Sequence, residues 1–395
     1  MHASSSVTPE TTPVVVACCR TPIGRAHAER GAFRQVRGDE LAAAAIEAVV
    51  TRSGVAAESI EDVILGATQQ RGELGGNVAR NAALMAGLPF AVAGTTVNRL
   101  CGSSLEAVAQ AAHAIAAGAG RVFVAGGVEH MHHLPMEAAI DIHPRVYAGS
   151  SRGVLSMGMT AEHLAAAHGI SRRRQEAYAV ESHAKASGAT DTGLFADEIV
   201  PVLGHDEAGL LVEVTADQSI RRDTSAEQMA ALEPAFLPGI GTVTAATSAP
   251  VSDGAAAVLV MSVAEARRQR LAPLARVAGT AVAGVPPALM GTGPVAATRK
   301  LLDRTGRAIS AIDLIELNEA FAAQAIHCIN ALGLDPTRVN VRGGSLALGH
   351  PLGASGARIV TTLLHAMRSG PARVGLATMC IGLGQGIAVL FEKLD

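Results

Sequence analysis

Val97-Asn-Arg-Leu-Cys-Gly-Ser103 and Val339-Asn-Val-Arg-Gly-Gly-Ser345 decide how this chain is read. In each, a Val-Asn pair precedes a Gly-Ser pair at the same spacing, at an offset of 242 residues (339 − 97). The likeness extends outward. Upstream, Asp62-Val-Ile64 matches Asp313-Leu-Ile315 at an offset of 251 (313 − 62), and downstream Arg121-Val122 matches Arg373-Val374 at 252 (373 − 121). Three matches in one order indicate a duplicated unit. The second copy carries ten further residues (252 − 242) between Asn340 and Arg373, in a stretch that includes Gly349-His-Pro-Leu-Gly-Ala-Ser-Gly356.

Around these anchors, short apolar runs alternate with Ala-rich segments. Val14–Ala17, Val63–Leu65, Val122–Ala125, Leu314–Leu317 and Val374–Ala377 read as strands, and Leu41–Val50 and Ser104–Ala117 as helices. Gly118 and Gly120 close the second helix, and Gly126-Gly127 closes the strand from Val122. The alternation predicts an α/β fold with two βαβ-type halves. Residues 128–240 are richer in His, Arg, Asp and Glu and lack the repeat, so they read as an inserted loop domain. The halves are then 1–127 and 241–395, with part of 241–270 completing the first.

The 395 residues suffice for two or three domain-sized units. Trp is absent and Tyr and Phe are scarce, so the core must be close-packed Ala, Val, Leu and Ile. The polar opening stretch, with Ser4, Ser5, Ser6, Thr8, Thr11 and Thr12, reads as frayed and lacks the plan of a signal peptide. No apolar run is long enough to span a bilayer. Five cysteines, an odd number, argue against a disulfide framework and for a reducing, cytoplasmic setting. A net charge of −3 without a long basic run argues against nucleic acid.

Cys101 sits between a strand and a helix. There the macrodipole and free N–H groups favour the thiolate, the nucleophilic form; the plainer reading is a buried Cys in a turn. His350, in a Gly-rich loop beside Pro351, can serve as its base or be a surface loop residue. Cys380 lies in Met379-Cys-Ile-Gly-Leu-Gly-Gln-Gly386, as a second acid–base thiol beside accessible N–H groups or as a core Cys at a strand end. Asn318, at a strand-to-helix junction, is a catalytic candidate or simply a helix cap. His130, His132 and His133 with Glu129 lack recognised metal-ligand spacing, so no metal is expected. Cys18, Cys19 and Cys328 read as core, and Arg172-Arg173-Arg174 as a solvated helix start.

Taken together, the chain resembles the thiolase family. The residues that carry the resemblance are Asn-Arg-Leu-Cys-Gly-Ser-Ser at 98–104, Gly-Gly-Val-Glu-His-Met at 126–131 and Met-Gly-Met-Thr-Ala-Glu at 157–162. Further on come Ser-Asp-Gly-Ala-Ala-Ala at 252–257, Asn-Glu-Ala-Phe-Ala-Ala-Gln at 318–324, Gly-His-Pro-Leu-Gly-Ala-Ser-Gly-Ala-Arg at 349–358 and Cys-Ile-Gly-Leu-Gly-Gln-Gly at 380–386. The pattern is most similar to bacterial 3-ketoacyl-CoA thiolases of fatty-acid β-oxidation.

The resemblance implies two duplicated α/β halves in αβαβα layers with a loop domain. It implies that Cys101 takes the acyl group, that His350 activates it, that Asn318 holds a water in an oxyanion site and that Cys380 moves the α-proton. The N–H groups of Cys101 and Gly382 would hold the acyl oxygen. Coenzyme A is then a substrate, with no permanent cofactor, and Arg221, Ser248 and Ala249 are its expected contacts, Arg222 offering a further charge. A homodimer or homotetramer is implied, and a hydratase–dehydrogenase subunit as a further partner.

The chain departs from the family pattern at Arg342, Ala246, Ala249 and Pro250, which bears on coenzyme A binding and acyl preference. A biosynthetic acetoacetyl-CoA thiolase remains an alternative. A decarboxylating condensing enzyme would carry His in place of Asn318 or Cys380, and a silent homologue would have lost Cys101, His350 or Cys380.

Overall fold

The computed structural model describes residues 9–394 except 137, 139, 149 and 150. Ser4, Ser5, Ser6 and Thr8, read above as frayed, lie outside the described residues. The first half runs β1 (Pro13–Arg20), β2 (Gly24–Arg25), α1 (Gly38–Ser53), β3 (Asp62–Gly66), α2 (Val78–Met85), β4 (Ala93–Val97), α3 (Ser103–Ala116) and β5 (Val122–His130). Then follow α4 (Met157–Ala167), α5 (Arg172–Asp191), the hairpin β6 (Val202–His205) and β7 (Leu211–Val214), and α6 (Ala226–Ala230). The chain returns to the main sheet with β8 (Ser252–Ser262) and α7 (Val263–Gln269). The second half comprises β9 (Ala275–Gly284), α8 (Gly293–Thr305), β10 (Leu314–Leu317), α9 (Ala322–Leu332), α10 (Ser345–Leu348), α11 (Leu352–Arg368), β11 (Val374–Ile381) and β12 (Gln385–Glu392).

The two halves repeat one topology. In the first, β4, β3, β5, β8 and β1 lie side by side, and in the second β10, β11, β12 and β9 do. β3 is parallel to β5 as β10 is parallel to β11, while β8 and β12 run antiparallel to their neighbours. The place of β4 is taken in the second half by one bridge, Ile315 to Val339. That bridge lies at the outer edge of its half, as β4 does in the first. The ten extra residues fall where α10 and the Gly349–Pro351 turn precede α11. Antiparallel pairing of Val14 and Val15 with Arg276 and Ala275 joins the halves edge to edge.

Three apolar cores make the layers. On β8 every residue is buried, and successive side chains face opposite ways. Ala255, Ala257, Leu259 and Met261 pack under α1 and α2, whereas Ala256, Val258 and Val260 face α3 and α11. The core around α3 and α11 also receives Met379, Ile381, Ile387 and Val389 from the second half. A third core lies between those strands and α8 and α9. The sequence of layers is therefore helix, sheet, helix, sheet, helix. The central helices carry most of this burden: every residue of α11 from Leu352 to Met367 is buried. Their packing requires glycine, because a Cβ on Gly356 would stand 2.3 Å from the backbone nitrogen of Leu105.

One expected boundary is wrong. β5 does not stop at Gly126-Gly127 but continues to His130. A Cβ on Gly127 would meet the carbonyl of Gly353 at 2.1 Å. This glycine permits the start of α11 to approach the strand; it does not end the strand.

Candidate active site

The loops after β4, β10, α10 and β11 converge on one apolar cleft of about 90 Å³, lined by Cys101, His350, Cys380 and Gly382 among others. Cys101 is delivered by a strained turn. Leu100 has φ 47, in the left-handed region that a branched side chain rarely adopts. The turn is held from both sides. Asn98 Oδ1 accepts from the Leu100 N–H at 2.8 Å, and the Leu100 carbonyl accepts from the Ser103 hydroxyl at 2.6 Å. α3 begins two residues after the cysteine.

The thiol does not behave as its helix-start position predicts. Burial pushes Cys101 up to about 11, although the N–H groups of Gly382 and of Cys101 itself favour the thiolate. Desolvation of a charge in an apolar cleft outweighs two donors and a helix end. At rest Cys101 is a thiol, and to act as a nucleophile it needs a base.

His350 supplies a neutral imidazole. It is buried, not a surface loop residue. Burial, with the Arg358 charge adding to it, lowers its pKa to about 3. Its Nδ1 is 2.6 Å from Ser355 Oγ, and its Nε2 is 3.4 Å from Asn318 Nδ2. Asn318 is fully buried beyond the end of β10, its N–H donating to the Thr378 carbonyl. It is not the cap of α9, whose N-cap position is Phe321.

Cys380 is the second-to-last residue of β11, 1% exposed. Burial, and then the nearby Cys101, push its thiol well up, so it holds its proton. Gly382 follows in the tight turn to β12, where Leu383 and Gly384 have φ 60 and 78.

The expected coenzyme A contacts divide between two neighbouring cavities. Arg221 and Ser248 line one of about 50 Å³, with Arg25, His183 and Ala246. Ala249 lines the cleft of Cys101 instead, and Pro250 lines both. Among the described residues Arg221 carries no ion pair, whereas Arg222 is paired with Asp191. Arg342 lies at neither cavity. It donates to the Leu194 carbonyl and Ser369 Oγ and lies 3.6 Å from the buried Glu198.

The histidine cluster is accounted for by hydrogen bonds. Glu129 is not part of it; its carboxylate accepts from the N–H groups of Thr68, Gln69 and Gly353. The acids beside the histidines are Asp253, 3.4 Å from His130 Nδ1, and Glu73, which together with His130 and His133 brings ligand-type atoms within 4.8 Å. His133 lies between Glu73 Oε1 and the Arg34 carbonyl, both acceptors at 3.0 Å. Both its nitrogens must donate. Burial opposes that charge, but the Arg34 carbonyl and Glu73 raise the pKa. His130 accepts from the His133 N–H at Nδ1 and meets the Phe33 carbonyl at Nε2. Neither ring keeps a free lone pair for an ion.

Several residues of the site were not singled out from sequence. Met131, Met136, Met157, Met290 and Phe321 line the cleft, a polarisable apolar wall. Ser355 lay inside the quoted Gly-rich motif, five residues after His350. Three glutamates of the quoted motifs serve as clamps. Besides Glu129, Glu162 accepts from the N–H groups of Thr242 and Val243, and Glu319 from Tyr178, Ser182 and Asn340. Each buried carboxylate fixes loops next to the cleft.

Comparison with known proteins places the chain among relatives over nearly its whole length. Residues 13–264 match the model of the thiolase N-terminal domain and 271–393 that of the thiolase C-terminal domain. A 3-ketoacyl-CoA thiolase of Shewanella loihica is 52% identical over 384 residues, 96% of this chain and 99% of that protein. The Shewanella frigidimarina 3-ketoacyl-CoA thiolase is 51% identical over 385 residues, with the same coverage. Human mitochondrial 3-ketoacyl-CoA thiolase superposes with a TM-score of 0.89 at 34% identity, over 98% of this chain and 100% of that one. The acetyl-CoA acetyltransferase of Bacillus anthracis superposes at 0.88 with 37% identity, over 97% and 99%.

Proposed function

The chain belongs to the thiolase family, and from that premise we propose how its residues carry out the CoA-dependent cleavage of 3-ketoacyl-CoA. The reaction yields acetyl-CoA and a shortened acyl-CoA, and the same site runs the reverse condensation. One observation carries the assignment of roles: two thiols, a neutral imidazole and the Gly382 N–H share one cleft.

His350 Nε2 takes the Cys101 proton as the sulfur attacks the 3-keto carbon. The tetrahedral adduct collapses, the bond between C2 and C3 breaks, and the acyl group stays on Cys101. The electron pair leaves as the enolate of acetyl-CoA, whose α-carbon takes the Cys380 proton. In the second half-reaction the Cys380 thiolate takes the proton of a coenzyme A thiol, which attacks the acyl-enzyme. Cys101 departs and recovers its proton from His350. The N–H groups of Cys101 and Gly382 hold the acyl oxygen, while Asn318 and the protonated His350 serve the enolate oxygen. No proton is gained or lost over the cycle. Coenzyme A is a substrate here, and the steps call on no resident cofactor.

The coenzyme A-binding insertion expected over 128–240 starts after His130 in this reading, where β5 ends, and the thiolase halves are the stretch up to β5, completed by β8 from within 241–270, and the remainder to 395. The second cavity, with its unpaired Arg221, supports placing the nucleotide end there. A homodimer or homotetramer is supported by β4, a sheet-edge strand near the 88% exposed Phe90; light scattering that gives a monomer at micromolar concentration contradicts it. A hydratase–dehydrogenase partner rests on the family resemblance alone. Five free cysteines, two of them in the site, fit a reducing cytoplasm. No helix among the described residues is long and apolar enough to cross a membrane.

The direct test is to incubate the protein with 3-ketoacyl-CoAs of increasing chain length, with and without coenzyme A. Without coenzyme A, acetyl-CoA should stop at about one equivalent per active site, and continued turnover should require coenzyme A. Absence of product at every chain length contradicts the reading.

A further inference from the structure

Behind His350 runs a chain of buried polar groups that the reaction scheme above does not use. Arg358 on α11 is 2% exposed. Its Nη2 is 2.9 Å from Ser345 Oγ, and its Nη1 is 3.3 Å from Glu316 Oε2. Ser345 Oγ lies 2.7 Å from Asn318 Oδ1. The other end of the Asn318 amide faces His350 Nε2. Ser355 meets the opposite edge of the ring.

The direction of every bond in this chain follows from its first member. A guanidinium donates and never accepts. Ser345 must therefore receive from Arg358, which leaves its own proton to be given onward. Among the described residues the acceptor for that proton is the Asn318 amide, which must present its oxygen. With Oδ1 committed to Ser345, the Asn318 NH₂ is turned towards His350 Nε2, and Nε2 must meet it with a lone pair. On the far side, Ser355 Oγ has a single proton and donates it to the Pro351 carbonyl at 2.9 Å. It is then an acceptor for His350 Nδ1–H. Both ends specify one tautomer, with the proton on Nδ1 and the base at Nε2.

We propose that Ser345, held by the buried Arg358, is a positioning residue that fixes the orientation of Asn318 and thereby keeps His350 Nε2 unprotonated, so that it can take the Cys101 proton. The inference rests on His350 being the base. Without the Ser345 hydroxyl, Oδ1 loses its donor and the amide is free to turn. An amide oxygen facing Nε2 would hold a proton there, which both blocks the base and stabilises the imidazolium. The charged and titratable groups around the ring are Arg358 on α11, with Glu316 on β10 behind it, and the thiols of Cys101 and Cys380. Of these only Arg358 is charged against the ring, so no neighbouring carboxylate competes with the amide for the imidazolium.

The test is the rate of Cys101 acylation from acyl-CoA, measured against pH in Ser345→Ala, Ser345→Thr and His350→Gln. Ser345→Ala removes one oxygen from a buried site and leaves the side chains of the cleft in place. Its acylation at neutral pH should fall roughly 10- to 100-fold, less than the loss of a general base outright because His350 remains. Its rate should also decline as pH drops from 7 to 5, whereas the parent protein should stay level. The Michaelis constant for coenzyme A should be unchanged, and Ser345→Thr should recover much of the rate. Ser345→Ala with the parent's rate and profile overturns the proposal and leaves His350 as base. A uniform loss at all pH values with a raised Michaelis constant also overturns it, by showing a structural role alone. If His350→Gln acylates like the parent, the base is assigned wrongly and both readings fall.

Discussion

At the scale of the residue, burial outweighs local electrostatics. Cys101 sits where a helix start and two N–H groups should favour the thiolate, yet its pKa is about 11. His350 is held near 3 for the same reason, with Arg358 reinforcing it. Both partners are thus neutral over the ordinary pH range. As pH falls from 8 to 5 His350 stays an unprotonated base, because its pKa lies lower still. As pH rises to 9 Cys101 stays a thiol. The acylation rate should therefore be level between roughly pH 5 and 9. A pH–rate profile with a midpoint near 6.5 would show an ordinary histidine and contradict this account of the cleft. Arg221 is the other residue with a separable role. Arg221→Ala should raise the Michaelis constant for coenzyme A several-fold, roughly 1 kcal/mol or less as for other exposed charge contacts, and leave turnover nearly unchanged. The effect should shrink in high salt. An unchanged constant at low salt would place the phosphate elsewhere.

At the scale of the element, the site depends on two central helices being packed closer than most side chains allow. α3 begins just after Cys101 and α11 just after His350, so their contact fixes the distance between the proposed nucleophile and base. Gly356→Ala puts a methyl group 2.3 Å from the Leu105 nitrogen. It should cost about 1–3 kcal/mol of stability in urea unfolding and depress activity with it. Gly188 on α5 is the control: a Cβ there meets nothing within 4 Å. Gly188→Ala should be neutral or gain about 0.5–1 kcal/mol. Equal effects at the two sites would mean that helix propensity, not the α3–α11 contact, governs both. The elements also show what sequence could and could not convey. Cys101, His350 and Cys380 stood out because each lies among glycines at the end of a strand or loop. The duplicated halves were legible because Val97 and Val339 occupy equivalent sheet-edge places. The end of β5 was misread because Gly127 looks like a stop, whereas its reason is Gly353 on a distant helix. Ser345 and Arg358 gave no signal of a role, since their link to His350 passes through Asn318, 27 residues before Ser345. The thiol's pKa direction was missed because burial is a property of the assembled cleft.

At the scale of the whole molecule, the two halves share their central core and divide the chemistry. α3, α11 and strands of both halves meet in one apolar cluster. A chain ending at Arg270 would keep β1, β3, β4, β5 and β8 but expose the face of α3 that α11 covers. It should bind a hydrophobic dye and unfold without a cooperative transition, and a sharp transition by circular dichroism would show an independent half. In the proposed scheme the first half brings the nucleophile Cys101, and the second brings His350 and Cys380. This division is tested most directly by Cys380→Ala incubated with acetyl-CoA in deuterated water. The acetyl group should still be found on Cys101 by mass spectrometry, while exchange of the α-hydrogens is lost. If acylation and exchange fall together, or if neither changes, Cys380 only packs behind the turn to β12 and another group moves the α-proton.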